Sequence, residues 1–262
     1  SLLKNRKVFQ CTHCCHQESV LANTAFHGAK FDLFKILFAI YLFVSSQSGI
    51  SGTQLAYELE VNVKTACSLL RTLRAIADIE NTKELLSGYI DIDAAYLGGI
   101  DRGNKRGRGS NKQTVLVAQE LEKGKYPGKA FMMPSKSENR KEILEFVQKH
   151  IKEGAILHSD KSKTSVLNEC YKDIEGNKVL DKEGNPVKKY KYTLSQEKSD
   201  KVKNPMKWLH TLVSNLKNEI KGIYHGIPPK FLNMYIAEYT WRYNHRGIRS
   251  NKEKMKMLLS KA

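Results

Sequence analysis

The chain has 262 residues, of which 40% are hydrophobic, enough for one large domain or two modest ones. Its 44 Lys and Arg residues outnumber its 27 Asp and Glu residues, which gives a formal net charge of +17. A surplus of this size favours a polyanionic partner, because each phosphate contact releases condensed counterions. Composition therefore points to nucleic acid, with a merely soluble basic protein as the alternative.

The apolar segments and the cysteines exclude other classes. The longest apolar stretch, Ile36 to Val44, is nine residues long, whereas a membrane-spanning helix needs about 20. No signal-peptide pattern opens the chain, and five unevenly clustered cysteines do not resemble a secreted disulfide framework. We therefore expect a cytoplasmic protein with no membrane partner.

A Cys/His cluster occupies residues 1–30. Cys11-x-x-Cys14 is one half of a zinc knuckle, and a closed structural zinc site needs four ligands, usually from two such pairs. No second Cys-x-x-Cys occurs in the sequence, so either a residue of the cluster completes the site or the partner pair lies upstream. The candidates within the cluster are Cys15, His16 and His27. Unliganded surface cysteines remain the alternative.

Residues 31–80 are predicted to be helical. An apolar helix over 31–46 is followed by short helices over 53–60 and 63–76, the last with Asn62 as its N-cap. The two short helices fit a helix-turn-helix whose second helix presents a polar set to phosphates and base edges. That set is Lys64, Thr65, Ser68 and Arg71. An ordinary helical hairpin within a core is the alternative.

From residue 88 the pattern becomes that of an α/β domain. Strands are predicted at 89–93, 114–118, 129–133 and 155–158, and helices at 138–152, 205–221 and 229–243. The polar residues 171–204 are interpreted as a loop or hairpin insertion. Three strands, a helix, a strand and further helices predict a mixed sheet flanked by helices.

Aspartates at strand ends are the sharpest chemical signal. Asp91 and Asp93 lie two apart on a predicted strand, so both side chains leave the same face. Asp160 follows the predicted strand that ends at His158. Carboxylates converging from different strands suit Mg²⁺ or Mn²⁺, and a pair of such ions serves phosphodiester chemistry. Each aspartate taken alone could equally be a solvated loop residue.

A basic, glycine-rich loop between the predicted strands favours phosphodiester chemistry over solvated carboxylates, because it can hold a DNA backbone beside the aspartates. Its basic residues are Arg102, Lys105, Arg106, Arg108 and Lys112. The loop lacks the Gly-x-x-x-x-Gly-Lys-Ser/Thr order of a nucleotide-binding P-loop.

A third metal ligand is expected from a later helix. The candidates are Asp200, His210, Glu219 and Glu238. His210 and Lys217 are seven residues apart and share a helix face, whereas Glu219 points away from that face. We favour metal ligation or DNA contact over packing for His210, beside Trp208. A solvated basic face is the alternative for Lys217.

Motifs along most of the chain match a known family in the right order. In the first third they are Cys11-Thr-His-Cys14, Thr24-Ala-Phe-His27, Gly49-Ile-Ser51 with Leu55-Ala56, and Lys64-Thr65-Ala66. Further along they are Asp91-Ile-Asp93-Ala-Ala-Tyr96-Leu-Gly98-Gly99, Gly107-Arg-Gly109, Ser159-Asp160, Trp208-Leu-His210, Ser214-Asn215-Leu-Lys217, Gly222-Ile-Tyr224-His225-Gly226 and Glu238-Tyr-Thr-Trp-Arg242-Tyr-Asn244-His-Arg246. On these residues the chain resembles bacterial insertion-sequence transposases of the Asp-Asp-Glu type, specifically the ISXO-like group.

The resemblance implies a zinc ribbon, a helix-turn-helix and an RNase-H-like catalytic domain in that order. The corresponding ranges are a partial zinc ribbon at 1–30, a helix-turn-helix region at 31–80, a catalytic domain at 85–250 and a basic tail at 251–262. The family's upstream cysteine pair is absent, which predicts a chain truncated before Ser1. A structural Zn²⁺ is then either held by the remaining ligands or lost.

The resemblance also assigns site residues. Asp93 and Asp160 correspond to the first and second catalytic aspartates, and Asp91 stands where the family often carries another acid. His210 falls where many relatives have Glu, and Lys217 matches the basic residue seven positions later. Two Mg²⁺ or Mn²⁺ ions would thus be held by Asp93, Asp160 and His210.

The implied function is that of a transposase that binds element ends, cleaves DNA and joins the freed 3′ hydroxyl to target DNA. Its partner is double-stranded DNA at the nucleoid, and cutting two ends in concert predicts at least a homodimer. A stand-alone nuclease of the same fold is one alternative. A catalytically decayed DNA-binding protein is another, because His210 departs from the usual Glu.

Overall fold

The computed structural model describes residues 1–3, 8–29, 32–98, 112–137, 139–159, 167–169, 178, 180–181, 183, 185–196 and 206–260. The strands are β1 (Leu2–Leu3), β2 (Val8–Gln10), β3 (Gln17–Ser19), β4 (Tyr89–Leu97), β5 (Gln113–Glu122), β6 (Tyr126–Ser135), β7 (Ile156–Ser159) and β8 (Thr193–Gln196). The helices are α1 (Leu33–Ser45), α2 (Gly52–Leu59), α3 (Val63–Asn81), α4 (Arg140–His150), α5 (Lys207–Gly222), α6 (Leu232–Asn244) and α7 (Asn251–Leu259). These elements form two compact units, residues 1–80 with 248–262, and residues 81–247.

The first unit combines a small sheet with a helical core. Strands β1, β2 and β3 form an antiparallel sheet with β2 in the centre. Helix α1 contacts α2 and α7 and buries an apolar stripe that includes Ile36, Ile40 and Phe43. Its apolar sequence is therefore explained by this core rather than by a lipid bilayer.

Local capping explains how α2 and α3 form two separate helices. The Ser51 side chain accepts a hydrogen bond from the Gln54 backbone N–H at 3.1 Å, which caps the start of α2. Glu60 ends α2 in a left-handed conformation, with φ of 52°. Asn62 then caps α3 by accepting a hydrogen bond from the Lys64 backbone N–H at 2.9 Å.

The second unit is built on a five-stranded sheet with the order β6-β5-β4-β7-β8. Strands β4, β5 and β6 are antiparallel neighbours, while β7 runs parallel to β4 and β8 runs parallel to β7. A parallel strand needs a crossover connection, and α4 supplies it between β6 and β7. This mixed sheet flanked by helices confirms the predicted α/β fold class.

Each face of the sheet is covered by its own apolar core. On one face, Ile90 and Ile92 of β4 pack in a cluster with Phe146 and Val147 of α4. On the other face, the neighbouring strands pack in a second cluster with α5 and α6, which includes Leu209 and Leu212 of α5. Asp91 and Asp93 alternate with Ile90 and Ile92 along β4 and therefore point to the face covered by α5.

The structure contains elements that the sequence analysis did not predict, among them strands β1–β3, strand β8 and helix α7. Residues 193–196, within the predicted polar insertion, form the edge strand β8. Within the predicted basic tail at 251–262, residues Asn251–Leu259 form the helix α7, which the sequence analysis did not predict. Its N-cap Ser250 accepts a hydrogen bond from the Glu253 backbone N–H at 3.3 Å, so a Ser-x-x-Glu capping signal was present in the sequence.

Candidate active site on the five-stranded sheet

Asp93 and His210 meet on the α5 side of the sheet. The Asp93 Oδ2 atom lies 3.5 Å from the His210 Nε2 atom, and their side chains are 28% and 45% exposed. The other oxygen of Asp93 accepts a hydrogen bond from the Ala94 backbone N–H at 2.8 Å. One carboxylate oxygen of Asp93 thus faces the backbone and the other faces the His210 imidazole. Both side chains are partly exposed to solvent.

Helix α5 packs against the sheet through one apolar face, and this packing places His210 next to Asp93. Leu209, Leu212, Val213 and Leu216 are the buried residues of the helix and lie in the cluster against the sheet. At the start of the helix, the Trp208 indole N–H donates to the Lys125 carbonyl oxygen at 2.9 Å. His210 is therefore on the exposed flank of a helix that is anchored on both sides of it.

Asp91 occupies a different environment from Asp93. Its side chain is 2% exposed, and its Oδ1 atom accepts a hydrogen bond from His158 Nδ1 at 2.9 Å. The two residues face each other in the parallel pairing of β4 with β7. The role of Asp91 as a further metal ligand stays a prediction; in the structure, its carboxylate is engaged by the partly exposed His158.

Several predicted site residues lie outside the described residues. They are Asp160, Arg102, Lys105, Arg106 and Arg108. Lys112, the last basic residue of the predicted DNA-binding loop, is described and is half-buried next to the start of β5. Within the described part of the chain, no group of three or more His, Cys, Asp or Glu side chains has the geometry to hold a metal ion.

Lys217 and Glu219 lie on different sides of α5. Lys217 is exposed, as is Ser214 one turn earlier. Glu219 instead forms an ion pair with Arg242 of α6, and both side chains are buried. Glu219 thus points away from the face of His210, as the helical spacing predicts, and takes part in packing rather than in the site.

A buried charge cluster joins α5 to α6, and the sequence analysis did not foresee it. Arg242 donates hydrogen bonds to both Glu219 and Glu238, and Glu238 also accepts one from the Tyr224 hydroxyl at 3.3 Å. Burial opposes the charge on Arg242, but the two carboxylates outweigh it and raise the pKa of the guanidinium above its ordinary value. The i,i+4 spacing of Glu238 and Arg242 was the only signal in the sequence.

The end of α6 satisfies the backbone of the edge strand β6. The Asn244 side chain accepts a hydrogen bond from the Ala130 backbone N–H at 2.8 Å and donates one to the Ala130 carbonyl at 2.9 Å. Arg246 donates to the carbonyl oxygens of Pro127 and Gly128. These contacts give the Glu238–Arg246 motif a structural role, since they cover an otherwise open sheet edge.

In the first unit, the predicted DNA-contacting residues lie along one side of α3. Lys64, Ser68 and Arg71 are exposed, and Thr65 is half-buried. The opposite side, which includes Leu70 and Leu73, is buried. The amphipathic pattern predicted for this helix is confirmed, while its contact with DNA remains a prediction.

The Cys11–Cys14 turn has the geometry of a thiolate-stabilising knuckle. Both cysteines are exposed and free, and the Cys11 sulfur accepts a hydrogen bond from the His13 backbone N–H at 3.4 Å. The backbone N–H of Cys14, then that of His13, lowers the pKa of the Cys11 thiol. A lowered thiol pKa suits a metal ligand, because the thiolate is the form that binds zinc.

Comparison with known proteins identifies the family. Residues 85–244 match the ISXO2-like transposase domain. This match spans more than half of the chain and coincides with the unit that carries Asp93 and His210. The chain belongs to the family of ISXO2-like transposase domains.

Solved structures give a more distant likeness. The chain is similar to the Mos1 transposase in a paired-end complex with the left transposon end, with 11% identity over 85% of this chain and 78% of that chain and a TM-score of 0.27. For the Mos1 strand transfer complex, the identity is 11% over 86% and 77% of the two chains, with a TM-score of 0.25. No curated protein shows significant similarity to the chain. Among the described residues, every helix is too short or too polar to span a bilayer.

Proposed function

We propose that this protein is an insertion-sequence transposase that binds the ends of its element and catalyses metal-dependent DNA cleavage and strand transfer. The observation that carries the proposal is the approach of Asp93 Oδ2 to His210 Nε2 at 3.5 Å within the transposase-domain match. A carboxylate and an imidazole that converge on a solvent-accessible point are suited to bind one metal ion. Asp160, two residues after His158 of β7, would supply the third ligand.

The spacing of the pair fits a divalent ion. Neighbouring ligands of an octahedral ion with bonds of 2.0–2.1 Å are about 3 Å apart, close to the separation of Asp93 and His210. An imidazole nitrogen is a better ligand for Mn²⁺ than for Mg²⁺, because Mg²⁺ strongly prefers oxygen. When bound, two such ions would stabilise the attacking and leaving oxygens of an in-line phosphodiester displacement. We therefore expect activity with Mn²⁺ to exceed activity with Mg²⁺.

The remaining predicted residues would bind and orient DNA. Lys217 lies two turns beyond His210 on the exposed flank of α5 and would contact a phosphate near the scissile bond. The exposed side of α3, with Lys64, Ser68 and Arg71, would contact the element ends. The basic residues of the loop at 102–112 would hold the DNA backbone. Two copies of the chain would act together on paired ends at the nucleoid.

Cys11 and Cys14 would provide two of the four ligands of a structural Zn²⁺. The hydrogen bonds from backbone N–H groups to the Cys11 sulfur support this role, because they stabilise the thiolate. The other two ligands would come from Cys15, His16 or His27, or from a second cysteine pair. A zinc content of about one ion per chain, measured by metal analysis and lost in Cys11→Ser, would support the assignment.

The function is tested by cleavage and strand transfer on a labelled duplex that carries the element ends, with Mg²⁺ or Mn²⁺. Asp93→Asn and Asp160→Asn should each reduce product by more than about 100-fold, since even outer-shell partners of a metal contribute 10- to 100-fold. Asp181→Asn is the matched control, because Asp181 accepts backbone hydrogen bonds in a turn and Asn can do the same. Cleavage without joined product would identify a nuclease of the same fold.

A second candidate function follows from the histidine at position 210. If the protein is a decayed DNA-binding protein, the native chain binds element ends without cutting them, and His210→Glu creates metal-dependent cleavage. If His210 is a working ligand, the native chain cuts DNA and His210→Ala abolishes cutting. Binding measured on the same duplex separates loss of cleavage from loss of affinity.

A further inference from the structure

Asp91 and His158 form a buried polar pair beside the candidate site. The Asp91 carboxylate is 2% exposed and accepts a hydrogen bond of 2.9 Å from His158 Nδ1, whose side chain is 21% exposed. The adjacent residues of β4, Ile90 and Ile92, are apolar and buried in the core on the opposite face of the sheet. A carboxylate at this depth is unfavourable unless it is paired, so its presence beside an aspartate of the site calls for a specific role.

The pair lies at the last point where β4 and β7 are joined. Strand β7 is short, and its pairing with β4 consists of Tyr89 with Ile156, Ile90 with Leu157 and Asp91 with His158. Beyond this rung, β4 continues to Asp93, and β7 ends at Ser159, one residue before Asp160. The side-chain hydrogen bond therefore reinforces the rung that immediately precedes both aspartates.

We infer that Asp91 and His158 are positioning residues, which hold the end of β4 against β7 and thereby fix the Asp93 carboxylate in the orientation that binds its metal ion. This inference rests on the proposed function, because it takes Asp93 as a ligand. Asp91 acts through His158 and not by binding metal itself. Hydrogen bonds between a carboxylate and an imidazole N–H often orient metal ligands in proteins. Here the bond would orient the strand that carries the ligand, rather than the ligand itself.

Substitutions at His158 separate positioning from direct contact. In His158→Asn, the amide N–H can replace the Nδ1–H donor to Asp91, but nothing replaces Nε2. In His158→Leu, the donor is lost and the volume is largely kept. Tyr89→Phe, at the first rung of the same strand pair, is the matched control because Tyr89 is half exposed and lies two rungs from the Asp91–His158 pair.

The first readout is Mn²⁺ binding to the full chain in complex with element-end DNA, measured by electron paramagnetic resonance of free Mn²⁺. We expect His158→Leu to weaken Mn²⁺ binding by about 10- to 100-fold and His158→Asn to restore it to within a few-fold of the native value. The second readout is the cleavage rate, where kcat should fall in His158→Leu while the Kd for DNA stays constant. Native Mn²⁺ affinity and native kcat in His158→Leu would overturn the inference.

Two further outcomes would also overturn it. If His158→Asn is as defective as His158→Leu, the imidazole acts directly and is not a positioning group. If Asp91→Asn, which keeps an acceptor oxygen, loses Mn²⁺ as severely as Asp93→Asn, then Asp91 is itself a ligand. Should His158→Leu fail to fold, Asp91→Ala and Asp91→Asn decide the matter: loss of Mn²⁺ binding in Asp91→Ala with near-native binding in Asp91→Asn supports positioning, and near-native binding in both overturns it.

Asp93→Asn distinguishes failure of this inference from failure of the proposed function. If Mn²⁺ affinity is unchanged in Asp93→Asn, the assigned metal site is wrong and the inference falls with it. If Asp93→Asn loses Mn²⁺ while His158→Leu does not, the proposed function stands and the positioning role alone is rejected.

Discussion

Two aspartates that are indistinguishable by spacing have opposite environments in the folded protein. Asp93 is partly exposed and approaches His210, whereas Asp91 is buried and hydrogen-bonded to His158. The sequence places both on one face of a strand, and that expectation is met. The sequence could not predict that one aspartate is buried and the other exposed, because the burial of each depends on how α5 and β7 pack against β4.

His150 gives a prediction at the scale of a single residue. Its side chain is 4% exposed and stacks on the Phe131 ring with centroids 3.7 Å apart. Burial, with a smaller contribution from Lys149, lowers the pKa of His150 to about 4. The unfolded chain then binds a proton at a higher pH than the folded protein does.

Stability should therefore be fully present above about pH 6.5 and fall as the pH decreases towards 4, by up to about 3 kcal/mol for this group. His150→Leu should reduce the decrease in unfolding free energy measured by urea titration between these pH values. His225→Asn, which alters an exposed histidine, should leave the pH dependence unchanged. An identical pH dependence in His150→Leu and the native protein would refute the assignment.

At the scale of elements, α5 is held against α6 by the cluster of Glu219, Arg242 and Glu238. Removing Arg242 alone leaves two buried carboxylates without their cationic partner, so Arg242→Met should destabilise the protein by about 3–5 kcal/mol. Replacing all three residues by apolar ones should recover much of that loss. Urea unfolding of the single and triple variants measures both effects.

An exposed ion pair provides the control for this comparison. Lys141 and Glu145 are spaced i,i+4 on α4 with 3.9 Å between Nζ and Oε1, and Lys141→Met should change stability by less than about 1 kcal/mol. Equal effects of Arg242→Met and Lys141→Met would mean that the buried cluster contributes no more than a surface pair.

The elements that the sequence analysis missed are those with weak periodicity. Strand β8 is a four-residue edge strand in which Leu194 is half-buried and its neighbours are exposed, so it offers almost no alternating pattern. Helix α7 is rich in lysine and has Leu258 as its buried residue. Longer elements with a complete buried face, such as α1 and β5, were recognisable from sequence because their apolar residues recur at the proper period.

At the scale of the whole molecule, the proposed function places recognition of the element ends in the first compact unit and DNA cleavage in the second. The double variant Lys64→Ala, Arg71→Ala should weaken binding to element ends and reduce the salt dependence of log K by about 1.8, since each phosphate contact contributes about 0.9. The cleavage rate at saturating DNA should remain near the native value. Binding titrations at several salt concentrations and single-turnover cleavage test the two parts.

The control is the double variant Lys141→Ala, Lys152→Ala, which also removes two positive charges, but from exposed positions of the second unit. If both double variants weaken binding equally, the effect comes from net charge and α3 has no special role. If neither does, α3 does not contact DNA.

The sequence by itself determined the order of the helical and α/β regions, the mixed sheet, the membership suggested by its motifs and the residues from which the site is drawn. These depend on local periodicity and on residue identity, which a linear sequence contains. The tertiary structure alone decided that Asp93 meets His210, that Asp91 pairs with His158, and that Glu219 pairs with Arg242. Such pairings join residues far apart in the chain, and they depend on helix placement and strand register, which arise from packing of the whole domain.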